Sequence, residues 1–118
     1  MKFLALSFIL FSLGCASPYK RGPKPLTEAQ MVQGVRKYRS EVRGCYLRLL
    51  NENSKLRGKI QVAFLIEPHG KISQASVIKN NTGSKDLEEC ILYRLRTWKF
   101  PKSSSQTEVT SYPFEFRP

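Results

Sequence analysis

Cysteines at 45 and 90, a single histidine at 69 and adjacent glutamates at 88 and 89 are the residues of this 118-residue chain whose types could do chemistry. Cys90 lies in "ECILYRLRTWKFP" (Glu89 to Pro101), a helix-like pattern that ends on tryptophan, phenylalanine and proline. A thiol in that setting is a nucleophile, a metal ligand or half of a disulfide. A cysteine nucleophile needs a base beside it, and His69 falls in the turn "EPHG", far along the chain from both thiols. A structural zinc site takes four ligands at close spacings, which two cysteines and one histidine do not supply. Glu88 and Glu89 fall on a helix surface, whereas acid–base work by paired carboxylates needs convergence across a cleft. "GSKD" (Gly83 to Asp86) lacks the Gly-x4-Gly-Lys frame of a phosphate loop. These residues predict a non-catalytic protein with no metal and no cofactor.

What the thiols do depends on where the chain is delivered. It opens "MKFLALSFILFSLGCASP", with Lys2 ahead of an uncharged apolar run from Phe3 to Leu13. That run is short of the ~20 residues a bilayer span needs and reads as a signal segment over residues 1–14. Cys15, after a small residue, resembles the end of a bacterial lipobox, with Ser12 where that signal usually has leucine. The resemblance implies a diacylated Cys15 as the mature N-terminus. With Ala16 rather than aspartate following it, it also implies a Gram-negative outer-membrane lipoprotein facing the periplasm. Several acyl chains, at ~0.8 kcal/mol per buried methylene, would anchor it stably. The alternative is a plain secretory signal with Cys15 incidental. Either route exports the chain to an oxidising compartment, where Cys45 and Cys90 read as a disulfide. On chain-entropy grounds, closing a loop of about 45 residues is worth roughly 4 kcal/mol, enough to decide whether a small domain folds.

Without the signal, one small domain remains. Its charge (+11 for the whole chain) suits an anionic partner or surroundings such as lipid headgroups or a cell-wall polymer. Export argues against nucleic acid, and no RRM-type basic-aromatic motif is present. "ASPYKRGPKPL" (Ala16 to Leu26) reads as an extended tether, giving a lipidated tether over 15–26 and a domain over 27–118. Thr27 and Gln30 have capping-box spacing, and Met31, Val35, Tyr38, Val42, Cys45 and Leu49 mark one face of a single helix ending near Asn51. Ile60, Val62, Phe64 and Ile66 alternate along a strand whose other face, with Ala63 and Leu65, is apolar too, as in a central strand. "EPHG" closes a hairpin, and the irregular spacing of Ile72, Ala75 and Val77 leaves room for a bulge in the second strand. Asp86 and Glu89 offer a second capping box. Leu87, Cys90, Ile91, Leu95 and Trp98 continue a helix that Pro101 stops. In "TEVTSYPFEF", Tyr112, Phe114 and Phe116 line one face, and Pro113 places the strand at a sheet edge. The order α-β-β-α-β makes this an α+β domain.

Taken in order, "CYLRLL" (Cys45 to Leu50), "LRGKIQVAFLIEPHGKI" (Leu56 to Ile72), "LEECILYRLRTWKFP" (Leu87 to Pro101) and "YPFEF" (Tyr112 to Phe116) resemble the TonB C-terminal-like domain. More specifically, the pattern resembles the AgmX/PglI C-terminal branch, found in gliding and predatory Gram-negative bacteria. The resemblance covers roughly residues 31–117. It implies a three-stranded antiparallel sheet with two helices packed on one face. It also implies that a partner segment is bound as an extra strand beside the last strand, with Val109, Thr110, Ser111 and Glu115 along the docking edge. Unlike TonB itself, the sequence carries no N-terminal transmembrane helix and no long proline-rich spacer, so recognition rather than energy transduction is what carries over. The leading expectation is an envelope adaptor that binds a protein segment by strand addition. The alternative is a structural envelope protein holding an anionic polymer or lipid on a basic face of Arg36, Arg39, Arg43, Lys55, Arg57 and Lys59. Dimerisation through the sheet edges is compatible with either.

Overall fold

The computed structural model describes residues 22–118; the expected signal segment, Cys15 and the tether through Arg21 lie outside the described residues. Thr27 starts the first helix as its spacing predicts. Its hydroxyl accepts from the Gln30 N–H (3.1 Å) and the Gln30 side chain accepts from the Thr27 N–H (3.0 Å). Residues just ahead of Thr27 also pack against the domain. Lys24 and Leu26 are hydrogen-bonded to Ser104 and Thr107, and Leu26 is buried.

The expected single helix is two, α1 (Glu28–Lys37) and α2 (Arg39–Leu50), broken at Tyr38 with φ −104° and ψ 9°. The cause is tertiary. The Tyr38 hydroxyl donates to the Lys99 carbonyl (3.1 Å) and accepts from the Lys99 N–H (3.0 Å), and its ring stacks on Trp98 at 5.1 Å and 8°. Anchoring that side chain sixty-one residues away in sequence holds Tyr38 in the sparsely populated bridge region and bends the helical path. α2 carries most of the buried helical stripe, with Val42, Cys45, Tyr46 and Leu49 inside.

β1 (Gly58–Ile66) is the central strand, between β2 (Ile72–Asn80) and β3 (Thr107–Phe116) in an antiparallel sheet of order β2-β1-β3. Its inward residues Ile60, Val62, Phe64 and Ile66 are buried, each contributing about 2 kcal/mol of hydrophobic stabilisation. Gln61, Ala63 and Leu65 on the opposite face are half-buried. The hairpin closes over Glu67–Gly70, where Gly70 takes φ +96° and the Gly70 N–H donates to the Glu67 carbonyl (2.8 Å). A Cβ there would also collide with the Phe100 carbonyl, so the position requires glycine twice over. β2 carries two bulges, its pairing with β1 skipping Ser73 and Ile78.

α3 (Lys85–Leu95) differs from expectation at both ends. Its cap is Ser84, whose hydroxyl accepts from the Leu87 N–H (3.1 Å), two residues before the expected Asp86. Asp86 instead lies in the first turn, where its charge complements the helix dipole. The helix stops at Leu95, well short of Pro101. The chain then turns so that Trp98 enters the core and Lys99 bridges to Lys71. The buried Trp98 indole N–H donates to the Glu41 carboxylate at 2.7 Å. A disulfide joins Cys45 on α2 to Cys90 on α3, with Cα atoms 5.9 Å apart. The architecture is α+β, with three helices where the sequence suggests two.

Candidate protein-docking edge

β3 is an edge strand whose two ends are treated differently by the rest of the domain. At the first end, the segment Lys24–Leu26 lies alongside. The Lys24 N–H donates to the Ser104 hydroxyl (2.7 Å), and the Leu26 N–H donates to the Thr107 hydroxyl (2.8 Å). A shallow groove of about 520 Å³ lies there, lined by Leu26, Glu28, Met31, Glu108 and Thr110 among others. At the second end, Tyr112–Arg117 faces α1 and α2 across a groove of about 580 Å³. Its apolar lining comes from Val32, Val35, Val42, Tyr46, Phe114 and Phe116, and Arg36, Arg39 and Arg43 stand along the helical wall. Tyr46 and Phe116 pack at 5.1 Å, and the Tyr46 hydroxyl donates to the Leu56 carbonyl (2.6 Å), which fixes the floor.

Of the four residues expected along the docking edge, three are exposed and one is not. Val109 is only 7% exposed and its side chain belongs to the core, so on this strand it offers an edge its backbone alone. The reason is a bulge: Val62 pairs with Tyr112 but Phe64 pairs with Val109, so Thr110 and Ser111 together oppose Ala63. The extra residue reverses the alternation and turns Val109 inward. Thr110 and Ser111 sit exposed in that bulge, and Glu115 is exposed with its carboxylate 3.4 Å from Lys59 and 3.8 Å from Arg117. Pro113 is exposed on the same strand and has no N–H to offer a neighbour.

The six expected basic-face residues divide. Arg36, Arg39 and Arg43 converge on the β3 groove, Lys59 is paired with Glu115, and Lys55 and Arg57 sit exposed in the α2–β1 loop, away from the groove. Val32, Tyr46 and Arg117 complete the groove and were not singled out by the sequence. Their stripe and strand positions are visible there, but their meeting is a product of tertiary packing.

The remaining candidates have local duties. His69 is exposed in the hairpin turn, where its Nδ1 accepts from the Lys71 N–H (3.1 Å). Glu88 accepts from Asn80 (3.3 Å), and Glu89 is exposed. Hydrogen bonds from Ser73 (2.6 Å) and Gln106 (3.0 Å) hold the Glu67 carboxyl below the usual carboxylate range, tying the hairpin turn to the segment entering β3. Arg48 reaches to 3.5 Å from the Cys90 sulfur of the disulfide.

Residues 51–118, which comprise β1, β2, α3 and β3, match the family described as Gram-negative bacterial TonB protein C-terminal. The chain belongs to the TonB C-terminal family. The family consists of protein-interaction modules of the Gram-negative envelope, not enzymes. The solution structure of the Helicobacter pylori TonB C-terminal domain is similar to this chain at 17% identity, covering 79% of this chain and 94% of that one with a TM-score of 0.49. No curated protein matches the sequence. Among the described residues, no helix is long and apolar enough to cross a membrane.

Proposed function

We propose that this TonB C-terminal domain is the recognition half of a lipid-anchored, periplasm-facing adaptor, and that it binds a segment of a partner envelope protein as an added strand along β3. The observation that carries the reading is the β3 edge itself. Among the described residues no strand pairs with its outer side, and beside its second half runs a groove with an apolar lining for alternate side chains of an incoming strand. Thr110, Ser111 and Glu115 present side chains along that edge, and Val109 contributes backbone. Pro113 subtracts one donor, a common way of blunting an edge against indiscriminate pairing. Anchoring through an acylated Cys15 and membership of the AgmX/PglI branch complete the proposal, both supported by the sequence motifs.

The test is site-specific photo-crosslinking in intact cells of the native organism, with the probe at Ser111 and, as control, at Lys37 on α1. A discrete protein adduct at 111 and none at 37 is the expected result, with the partner identified by mass spectrometry. Diffuse lipid or polymer adducts at 37 with no protein adduct at 111 would overturn it and favour the polyanion-binding alternative.

A further inference from the structure

The β3 groove is strongly asymmetric in charge. Arg36, Arg39 and Arg43 line its helical wall, and none makes an ion pair among the described residues. The carboxylates that could answer them are otherwise engaged. Glu115 is shared by Lys59 and Arg117, and Glu41 accepts from the Trp98 indole. At the opposite end of the same strand the sign changes, with Glu28 and Glu108 lining the smaller groove. Three exposed guanidinium groups beside an apolar floor and a strand edge left unpaired among the described residues suit an anionic partner that is also extended and partly apolar. A peptide strand meets both demands, whereas a lipid headgroup makes no use of the backbone edge.

Spacing supports the same choice. Arg39 and Arg43 are four residues apart on α2 and therefore about 6 Å apart along its axis. Alternate side chains of an extended strand, which share one face, are separated by roughly 6.6 Å. Carboxylates at positions i and i+2 of an incoming strand therefore match the repeat of the arginines, and the guanidinium fork suits carboxylate recognition.

Resting on the strand-addition reading above, the geometry points to a strand with acidic residues at alternate positions as the occupant of this groove. It docks with its acidic end between Tyr112–Arg117 and α1–α2, and with neutral or basic residues toward Glu28 and Glu108.

The test uses the full-length chain in detergent and fluorescent octapeptides of alternating valine and glutamate, or of alternating valine and glutamine, read by anisotropy at low salt. The glutamate peptide is expected to bind about tenfold tighter than the glutamine peptide, with the difference collapsing at high salt. Arg39→Gln with Arg43→Gln brings the two peptides to the same affinity, and Ser111→Pro removes binding of both. Lys85→Gln with Lys102→Gln, which deletes two charges outside the groove, keeps the preference, and thermal unfolding confirms that each variant is folded. Equal binding of the two peptides to the unaltered chain overturns the acidic preference and leaves strand addition standing. Binding of neither, at millimolar peptide, sinks the strand-addition reading and this inference with it. A glutamate preference that survives Ser111→Pro, together with arginine-dependent binding to phosphatidylglycerol vesicles, reassigns the arginines to a lipid surface.

Discussion

The sheet has two edges, and the domain handles them in opposite ways. β2 is interrupted by two bulges, at Ser73 and Ile78, and between them its exposed residues, Gln74 and Ser76, are polar. Bulges twist an edge out of register and discourage pairing. β3 has one bulge and one proline, and its second half borders a groove with an apolar lining and three arginines. An edge that must only avoid aggregation needs disruption along its length. One that must accept a chosen strand needs disruption that leaves a selective stretch intact. On the strand-addition proposal, the two edges of this domain fit those descriptions in turn.

Four tests would break or sharpen that contrast. The largest effect is on the frame that holds both edges. Replacing Cys45 and Cys90 by alanine removes the link between α2, which walls the β3 groove, and α3, and should cost about 4 kcal/mol of stability in denaturant unfolding under oxidising conditions. An unchanged midpoint would mean that packing alone holds the helices together. The next effect is on binding. A proline at Ser111, in the β3 bulge, should abolish partner capture, while a proline at Ile78, in a β2 bulge, should leave capture intact. Each should cost no more than about 2 kcal/mol of stability, because neither residue has a Cα partner of its own on β1. Loss of capture by both, or by neither, would erase the distinction between the edges. Tyr38→Phe keeps the stack on Trp98 but deletes both hydrogen bonds to Lys99, and should lower stability by about 1 kcal/mol in thermal unfolding.

The smallest effect is pH-dependent and acts through Glu67, which accepts from Ser73 in β2 and from Gln106 before β3. Its folded-state pKa is lowered, chiefly by the Ser73 hydrogen bond and then by Gln106. Its stabilisation is therefore present above the ordinary carboxylate range and is lost as pH falls through the lowered folded value. Glu67→Gln should be less stable than the unaltered chain at neutral pH, with the gap closing in acid. A gap that persists unchanged in acid would show that the carboxylate's charge contributes nothing.

Much of this fold was legible in the sequence because its signals are local. The alternation of Ile60 to Ile66 marks β1 as central, the bounds of β3 follow from "TEVTSYPFEF", and Thr27 with Gln30 marks the start of α1. What could not be read was set by distant contacts. Tyr38 continues the apolar stripe perfectly well as a helical residue, and its bonds to Lys99 and stack on Trp98 are what hold it out of the helix there. Trp98 continues the α3 stripe on paper, yet it reaches the core by leaving the helix. Alternation through Tyr112, Phe114 and Phe116 gives no sign of the bulge at Thr110 and Ser111, which turns the Val109 side chain inward. The convergence of Arg36, Arg39 and Arg43 on the β3 edge has no local signal, since the two walls of the groove come from opposite ends of the domain.

The most direct measurement is amide hydrogen exchange on the full-length chain with and without the glutamate octapeptide. Strand addition to β3 predicts slowed exchange across Thr110–Phe116, apart from Pro113, and no change along Ile72–Asn80 of β2. Slowing along β2, or slowing confined to α1 and α2 with β3 unaffected, would contradict it.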